Sequence, residues 1–198
     1  MEKKYFLIAL FIGLATSGYS QFEVKGFLGM NFSSLTDVGE GFTQSPEIGY
    51  QLGASVLIGT TWFLEPGVTY SVSSQAIEES SITNSDPFSN KITGVKVPLN
   101  FGYRFFGGTQ NLLNLRLFAG ASANFVTGIN IEDISIDKEF YNSILWNANV
   151  GAGLDVWFLF LDLGYEIGLS DTFKGEDVLS TKMNTFYINV GGRIKFGK

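Results

Sequence analysis

The sequence predicts an all-β protein, an eight-stranded antiparallel up-and-down β-barrel that crosses a membrane, and three observations lead to this fold class. In eight stretches between Phe22 and Phe196, apolar residues alternate with polar or small residues at a period of two. The connections between these stretches are alternately short and long. No helical period appears after the first twenty residues. Composition agrees, because 24 Gly against 4 Pro, with 15% aromatic residues, favours strands and tight turns.

Residues 1–20 have the pattern of a secretory signal peptide. A basic start is followed by an apolar run over residues 5–14, about half of what a membrane-spanning helix needs. Small residues occupy positions 18 and 20, three positions and one position before an expected cleavage site at Gln21. We therefore expect a signal peptide over 1–20 and one barrel domain over 21–198.

The eight predicted strands follow in order, and each has one apolar face. The hairpin of strands two and three shows the pattern most clearly, with apolar residues at even positions on both sides of a break at Thr60 and Thr61. Its odd positions are mostly Gly, Ser and Thr, which suit a crowded lumen. The predicted strands are 22–32, 48–59, 62–73, 94–105, 113–125, 146–156, 161–169 and 186–196.

The connections between these strands indicate an orientation. Breaks near Thr60, over 106–112 and near Trp157 are short, whereas the other four run to about a dozen residues or more. Short turns at one end and long connections at the other are typical of bacterial transmembrane barrels, with the short turns in the periplasm. Pro66 and Pro98 fall inside predicted strands, where each removes a ladder hydrogen bond, so we expect a β-bulge at both.

The apolar faces decide between a membrane barrel and a soluble one. They contain no charged residue, although charged residues make up 16% of the chain. A charge facing lipid near the bilayer midplane costs about 2–4 kcal/mol, so this absence favours the membrane barrel. In a soluble barrel of lipocalin type the same faces would point inward around a ligand.

Two groups of aromatic residues lie at opposite ends of the predicted strands. Such girdles are typical of the two membrane–water interfaces. One group is Phe22, Trp62, Tyr103, Phe105 and Phe196, and the other is Phe32, Tyr50, Tyr70, Phe125, Trp146 and Phe186.

Charged residues on the inward faces gather near the short turns. An eight-stranded barrel is only just wide enough for its own side chains, and charges taken from water must find partners. We therefore expect an ion-pair network that closes the lumen below its midpoint. Its expected members are Glu23, Lys25, Glu65, Arg104, Arg116, Asp155, Asp162, Arg193 and Lys195, with Glu23 paired to Arg193, Glu65 to Arg104 and Asp155 to Arg116.

Composition limits the chemistry. The chain has no His and no Cys, which removes the usual general base, the commonest transition-metal ligand and any thiolate. We expect no enzymatic activity, no cofactor and no catalytic metal. A formal net charge of −6 argues against nucleic acid as a partner. Acidic residues on the long connections could hold Ca²⁺ or Mg²⁺, although a solvated acidic rim is the favoured interpretation.

Loose motifs relate the chain to a known family. Residues 64–66 (Leu-Glu-Pro), 97–99 (Val-Pro-Leu) and 103–105 (Tyr-Arg-Phe) resemble recurrent features of the outer-membrane β-barrel family that includes PorT-like and OmpX/OmpA-like proteins. The resemblance continues through 118–124, 162–170 and the last predicted strand, so it covers nearly the whole predicted barrel domain.

This resemblance implies a non-enzymatic integral protein of the outer membrane of a Gram-negative bacterium, with a structural, adhesion or surface-interaction role. The alternatives are a small porin or channel for small solutes, a PorT-like accessory of protein secretion and, less favoured, a soluble lipocalin-like barrel. Expected partners are outer-membrane lipids and lipopolysaccharide, the insertion machinery with periplasmic chaperones, and an extracellular ligand at the acidic connections. The last strand resembles the signal that such proteins present to the insertion machinery, and we expect a monomer.

Overall fold

The computed structural model describes residues 22–36, 42–79, 88–106, 112–131, 134–135, 142–171 and 182–196, and their regular secondary structure is all β. Within these ranges, no helix is long and apolar enough to cross a membrane. The strands are β1 (Phe22–Leu35), β2 (Phe42–Pro46), β3 (Ile48–Gly59), β4 (Trp62–Glu79), β5 (Phe88–Arg104), β6 (Leu113–Ile131), β7 (Ile134–Ser135), β8 (Ile144–Val156), β9 (Leu159–Gly168) and β10 (Met183–Phe196).

Eight of these strands close into one antiparallel barrel. The order around it is β1-β3-β4-β5-β6-β8-β9-β10, and β10 pairs with β1 to complete the circle. The remaining two strands extend hairpins beyond the barrel wall: β2 pairs with the end of β4, and β7 pairs with the end of β6. The predicted eight-stranded up-and-down barrel is therefore confirmed. Residues 1–21, and with them the expected signal peptide, lie outside the described residues.

The register shows how steeply the strands are staggered. A path across paired residues starts at Phe22 and returns to β1 at Phe32, ten residues further along the same strand. Such a stagger tilts the strands relative to the barrel axis and sets the width of the lumen. The path runs through Phe22, Ile58, Leu64, Phe101, Ala119, Val150, Tyr165, Phe186 and Phe32.

The apolar faces of the strands point outward. Leu28 is 71% exposed and Val68 is 50% exposed, whereas the inward residues Glu23 and Arg116 are 1% and 0% exposed. This arrangement excludes the soluble lipocalin-type alternative, because there the apolar side chains would fill the interior. An apolar belt facing outward is the arrangement that a lipid bilayer requires.

Several strands are longer than the sequence pattern predicted. β4 and β5 remain paired as far as Ile77 and Phe88, well beyond the predicted ends at Ser73 and Gly94. β6 likewise continues to Ile131. The alternation of apolar residues reports only the part of a strand that faces lipid, whereas backbone pairing needs no apolar side chain and continues past it.

The expected bulges at Pro66 and Pro98 are wrong. The β3–β4 pairing skips Pro66 and the β4–β5 pairing skips Pro98, yet the register is the same on both sides of each gap. Each proline therefore leaves a local interruption on one neighbouring strand without inserting a residue. The register shift between β5 and β6 lies instead at Thr93 and Gly94.

Inward-facing glycines make room for aromatic rings. A Cβ built on Gly102 would meet the ring of Phe63 and the carbonyl oxygen of Leu117. Phe63 is itself only 1% exposed, so its ring has little freedom to move away. Gly26, by contrast, lies on an outward position, and a Cβ there would meet nothing within 4 Å.

These two glycines give a matched test of lumen packing. We expect Gly102→Ala to destabilise the barrel by about 1–3 kcal/mol through overpacking, and Gly26→Ala to change stability by less than about 0.5 kcal/mol. Urea unfolding of the refolded protein in detergent, followed by the heat-modifiable gel shift, measures both. Equal stability of the two variants would contradict the proposed close packing.

A lumen of paired charges as the candidate functional site

Seven of the eight barrel strands send charged side chains into one end of the lumen. Inward positions of a strand alternate with outward ones, so a charge placed on an inward position has no route to lipid or open water. The eight side chains involved have relative exposures of 7% or less. They are Glu23 and Lys25 from β1, Glu65 from β4, Arg104 from β5, Arg116 from β6, Asp155 from β8, Asp162 from β9 and Arg193 from β10.

The first half of this network lies nearest the short turns. Arg104 Nη2 donates to Glu23 Oε1 over 2.8 Å, and Arg193 Nη1 donates to Glu23 Oε2 over 3.0 Å. The same Arg193 nitrogen lies 2.8 Å from Asp155 Oδ2. Arg104 lies at the edge of the network, because its Nε and Nη1 atoms are buried without a hydrogen-bond partner.

Arg116 joins the second half of the network to the first. Its Nε donates to Asp155 Oδ1 over 2.9 Å and its Nη2 to Asp162 Oδ1 over 2.7 Å, while Nη1 reaches Glu65 Oε2 at 3.5 Å. Lys25 Nζ lies 2.7 Å from Glu65 and 2.8 Å from Asp162. Four cations and four anions are therefore linked in one continuous, formally neutral network across the lumen.

The eighth barrel strand supplies a hydroxyl group. Ser55 of β3 donates its Oγ hydrogen to Glu65 Oε1 over 2.7 Å, so all eight barrel strands contribute a side chain to this lumen plug. We use the name lumen plug for the eight charged residues together with Ser55.

The predicted pairs can be compared with these contacts. The structure places Glu23 against Arg193 and Asp155 against Arg116, as the inward pattern suggested. The prediction that Glu65 pairs with Arg104 is wrong, because in the described ion pairs Arg104 contacts Glu23. On β5 the register partner of Glu65 is Asn100, four residues before Arg104, so the Arg104 side chain lies nearer the turn than Glu65 does. Lys195, the ninth expected member, is the register partner of Glu23 and is only partly buried.

One further ion pair was not predicted. Lys96 Nζ lies 2.6 Å from Glu166 Oε2, and both side chains are less than 10% exposed. Both residues fall on inward positions in the sequence, which is the signal that could have revealed them. The pair lies further from the short turns than the lumen plug, because Lys96 precedes Arg104 by eight residues on the same strand.

Aromatic rings pack among the cations. Lys25 Nζ lies 4.2 Å from the centre of the Phe160 ring, and the Arg116 guanidinium carbon lies 5.9 Å from the centre of the Phe63 ring. These distances are within the range of cation–π attraction. Phe63 also joins Leu57 and Phe118 in a buried apolar cluster, so rings and aliphatic groups fill space that the charges leave.

The opposite end of the lumen combines apolar side chains with uncharged polar ones, such as Ser33 and Thr185, whose hydroxyl groups lie 2.8 Å apart. Four inward residues near the long-connection ends of their strands have exposures of 2–8%, and none of the four is charged. They are Ile92, Val126, Leu145 and Met183. The described interior therefore changes from ion pairs near the short turns to a mixture of apolar and uncharged polar side chains at the far end.

Arg193 also holds the strained turn between β8 and β9. Trp157 has φ 55°, a left-handed conformation that a bulky side chain rarely adopts. Its carbonyl oxygen accepts hydrogen bonds from Arg193 Nε at 3.1 Å and Nη2 at 3.0 Å, and its N–H donates to the Leu112 carbonyl at 2.7 Å. The Arg193 N–H donates to the Phe158 carbonyl at 2.7 Å. These bonds fix a turn that contains no Gly, Asn or Asp.

All eleven aromatic residues predicted to form girdles lie on outward positions of their strands or, for Phe105, just beyond a strand end. At the short-turn end, the rings of Phe22 and Phe196 stack at 4.9 Å, and Trp62 meets Tyr103 edge-on at 4.7 Å. At the other end, Phe32 and Phe186 are register partners with ring centres 6.3 Å apart.

The carboxylates of the lumen plug all take part in ion pairs. In the described part of the chain, no group of three or more His, Cys, Asp or Glu residues could hold a metal ion. Asp155 and Asp162, which could have formed a pair of acids, instead both face Arg116. Every acid in the plug faces at least one cation, so the arrangement can neutralise charge and fill space.

The plug can be tested with matched lysines. Lys25 is buried against two carboxylates, whereas Lys91 is exposed on the outward side of β5. We expect Lys25→Met to cost about 3–5 kcal/mol, because it leaves buried carboxylates uncompensated. Lys91→Met should stay within about 0.5 kcal/mol of the parent protein. Urea midpoints in detergent report both effects, and a Lys25→Met barrel as stable as Lys91→Met would show that the plug is not energetically coupled.

Comparisons with known proteins agree with this geometry. Outer membrane protein OprG from Pseudomonas aeruginosa superposes with a TM-score of 0.57 at 14% identity, covering 91% of this chain and 97% of that one. Neisserial surface protein A superposes with a TM-score of 0.52 at 17% identity, covering 88% and 97%. At these identities the likeness shows the fold alone. A sequence search of curated proteins finds no significant match. The family model described as outer membrane protein beta-barrel domain matches residues 15–174, and the chain therefore belongs to that outer-membrane β-barrel family.

Proposed function

We propose that this protein is a non-enzymatic, closed barrel of the outer membrane that acts as a structural, adhesion or surface-interaction protein and does not conduct solutes. The observation that carries the proposal is the lumen plug, in which eight buried charges from seven strands are joined by contacts of 2.7–3.5 Å. A solute on its way through would have to separate several of these ion pairs at once, and breaking buried pairs is costly.

The rest of the chain supports a role at the surface. With the lumen filled by its own side chains, the parts left for recognition are the connections at the two ends. The four long connections are the larger and are rich in Asp and Glu in the sequence. We propose that they face the cell exterior and present an acidic surface to a partner. In the same proposal the protein is a monomer, and its outward apolar belt contacts outer-membrane lipids and lipopolysaccharide.

The mid-lumen holds the one observation that favours a channel. A cavity of about 50 Å³ borders the plug, and its lining combines Glu65 and Asp162 of the plug with Lys96 and Glu166. A small channel for solutes is therefore the second candidate function, and it requires the plug to open. The PorT-like secretion role has no separate geometric support among the described residues.

Electrical recording separates the two candidates. In planar bilayers we expect the mature wild-type protein to show no steady conductance, because the plug crosses the lumen. Arg104→Gln combined with Arg116→Gln removes two of the four plug cations and should make the barrel leaky or less stable, by about 3–5 kcal/mol for the buried partners left unpaired. Lys91→Gln is the control, since that side chain is exposed and outside the lumen. A large steady conductance from the wild type would refute the closed barrel and favour the channel.

The proposed topology can be tested on intact cells. Because the number of barrel strands is even, the free ends of the first and the last strand both lie on the side of the short turns. A specific protease site inserted between Asp86 and Pro87, in a long connection, should be cut by external protease. The same site inserted between Thr60 and Thr61, in a short turn, should be protected until the outer membrane is permeabilised. The reverse pattern would invert the orientation, and recovery of the protein in the soluble periplasmic fraction would contradict membrane insertion.

A further inference from the structure

The short-turn end of the barrel carries exposed apolar side chains that lie beyond the ends of the strands. Leu112, just before β6, is 72% exposed, and Trp157, in the turn between β8 and β9, is 68% exposed. Phe158 completes that two-residue turn and is also exposed. These three residues belong neither to the lumen plug nor to the predicted aromatic girdles. Large apolar groups gathered on a surface mark a place where that surface makes a contact.

The three exposed groups form one patch. The Trp157 N–H donates to the Leu112 carbonyl oxygen over 2.7 Å, so the two connections lie side by side. The rings of Trp157 and Phe158 meet edge-on, with their centres 4.7 Å apart. We use the name turn patch for Leu112, Trp157 and Phe158.

The turn patch is continuous with the outward apolar belt of the barrel. Val156 of β8 is the register partner of Leu113 on β6 and of Leu159 on β9, and all three are exposed residues on outward positions. Each member of the turn patch is the direct neighbour in sequence of one of these three residues. The apolar surface therefore continues past the strand ends without an intervening polar residue in the sequence.

The turn between β8 and β9 retains a bulky residue where its backbone favours a small one. Trp157 has φ 55°, a conformation that Gly, Asn and Asp adopt more readily than a bulky side chain does. The turn between β3 and β4 follows that preference, because Gly59 has the positive φ there and is followed by Thr60 and Thr61. An unfavourable residue held in such a conformation indicates a requirement other than forming the turn. The indole ring is what Trp157 adds at this position.

We propose that the turn patch is a membrane anchor, which inserts into the boundary between acyl chains and headgroups in the leaflet on the short-turn side. This is the periplasmic leaflet in the topology proposed above, so the inference rests on the proposed membrane insertion. The occupant is phospholipid because the patch continues the lipid-facing belt. An indole ring also combines an apolar body with an N–H donor, which suits the interface. The apolar surface thus includes the turn on the β8–β9 side of the barrel and stops before Thr60 on the β3–β4 side.

Fluorescence quenching tests the proposal, because the chain has three tryptophans, Trp62, Trp146 and Trp157. Three variants of the mature protein each retain one Trp, with Phe at the other two positions, and are refolded into phosphatidylcholine vesicles. Trp62 and Trp146 are references, since both are exposed on outward strand positions at opposite ends of the belt. With acyl chains brominated near the headgroup, we expect the quenching of Trp157 to be within about twofold of that of Trp62. Acrylamide in the water should quench Trp157 no more than Trp62.

The two reference tryptophans separate the possible results. Acrylamide quenching of Trp157 without lipid quenching, while Trp62 and Trp146 respond to lipid, would overturn the anchor and leave the membrane barrel intact. Protection of Trp157 from both quenchers that disappears at a lower protein-to-lipid ratio would also overturn it, because a second copy of the chain would then cover the patch. Failure of lipid to quench any of the three would contradict the proposed membrane insertion itself.

A matched pair of substitutions tests the same contact without tryptophan. Leu112→Asp places a carboxylate in the turn patch, and Thr60→Asp places one in the turn between β3 and β4; both parent residues are exposed and lie just outside a strand. We expect Leu112→Asp to lower the urea midpoint in vesicles more than Thr60→Asp does, because moving a charge from water toward lipid is unfavourable. If Leu112→Asp does not fold, Leu112→Asn and Thr60→Asn repeat the comparison. Equal midpoints within the folded pair would contradict the lipid contact.

Discussion

The closure of eight strands into a narrow barrel is the constraint on which the rest of this structure depends. The stagger of ten residues, from Phe22 to Phe32, tilts the strands and sets a lumen that side chains must fill. Lipid takes the apolar faces on the outside, so the inside receives the polar and charged residues. Charges in such a space are tolerated only in pairs, and the neutral balance of four cations and four anions in the lumen plug satisfies this condition.

The interior is graded along the barrel axis. Ion pairs fill the end near the short turns, and amides and the Lys96–Glu166 pair line the middle. The far end combines apolar side chains such as Leu145 and Met183 with hydroxyl groups such as those of Ser33 and Thr185. Glycines such as Gly102 leave room for the rings between them. Each level therefore fills the same cross-section with a different mixture of side chains.

The fold could be predicted from the sequence because every barrel strand faces lipid on one side. Apolar residues therefore alternate with polar or small ones along each strand. The sequence also indicated which charges point inward, since a period of two assigns each residue to a face. It assigned two of the three expected pairs correctly but not the third: Glu65 and Arg104 lie on adjacent strands and both point inward, but the register sets them four residues apart. The sequence pattern also missed where the strands end beyond the lipid and how Pro66 interrupts the pairing of its strand. Both depend on backbone hydrogen bonds, which the alternation of side chains does not report.

The plug draws on both strands at the seam where the chain closes on itself. Glu23 belongs to β1 and Arg193 to β10, the first and last strands, and their 3.0 Å contact crosses that seam. In a sheet whose first and last strands have not yet met, Glu23 lacks this partner, and Arg193 has only the acid on β8 and the turn carbonyl of Trp157. An incompletely closed barrel therefore leaves part of the charge on Glu23 without a partner, which costs free energy. The interior charges thus favour the fully closed barrel over a partly assembled sheet.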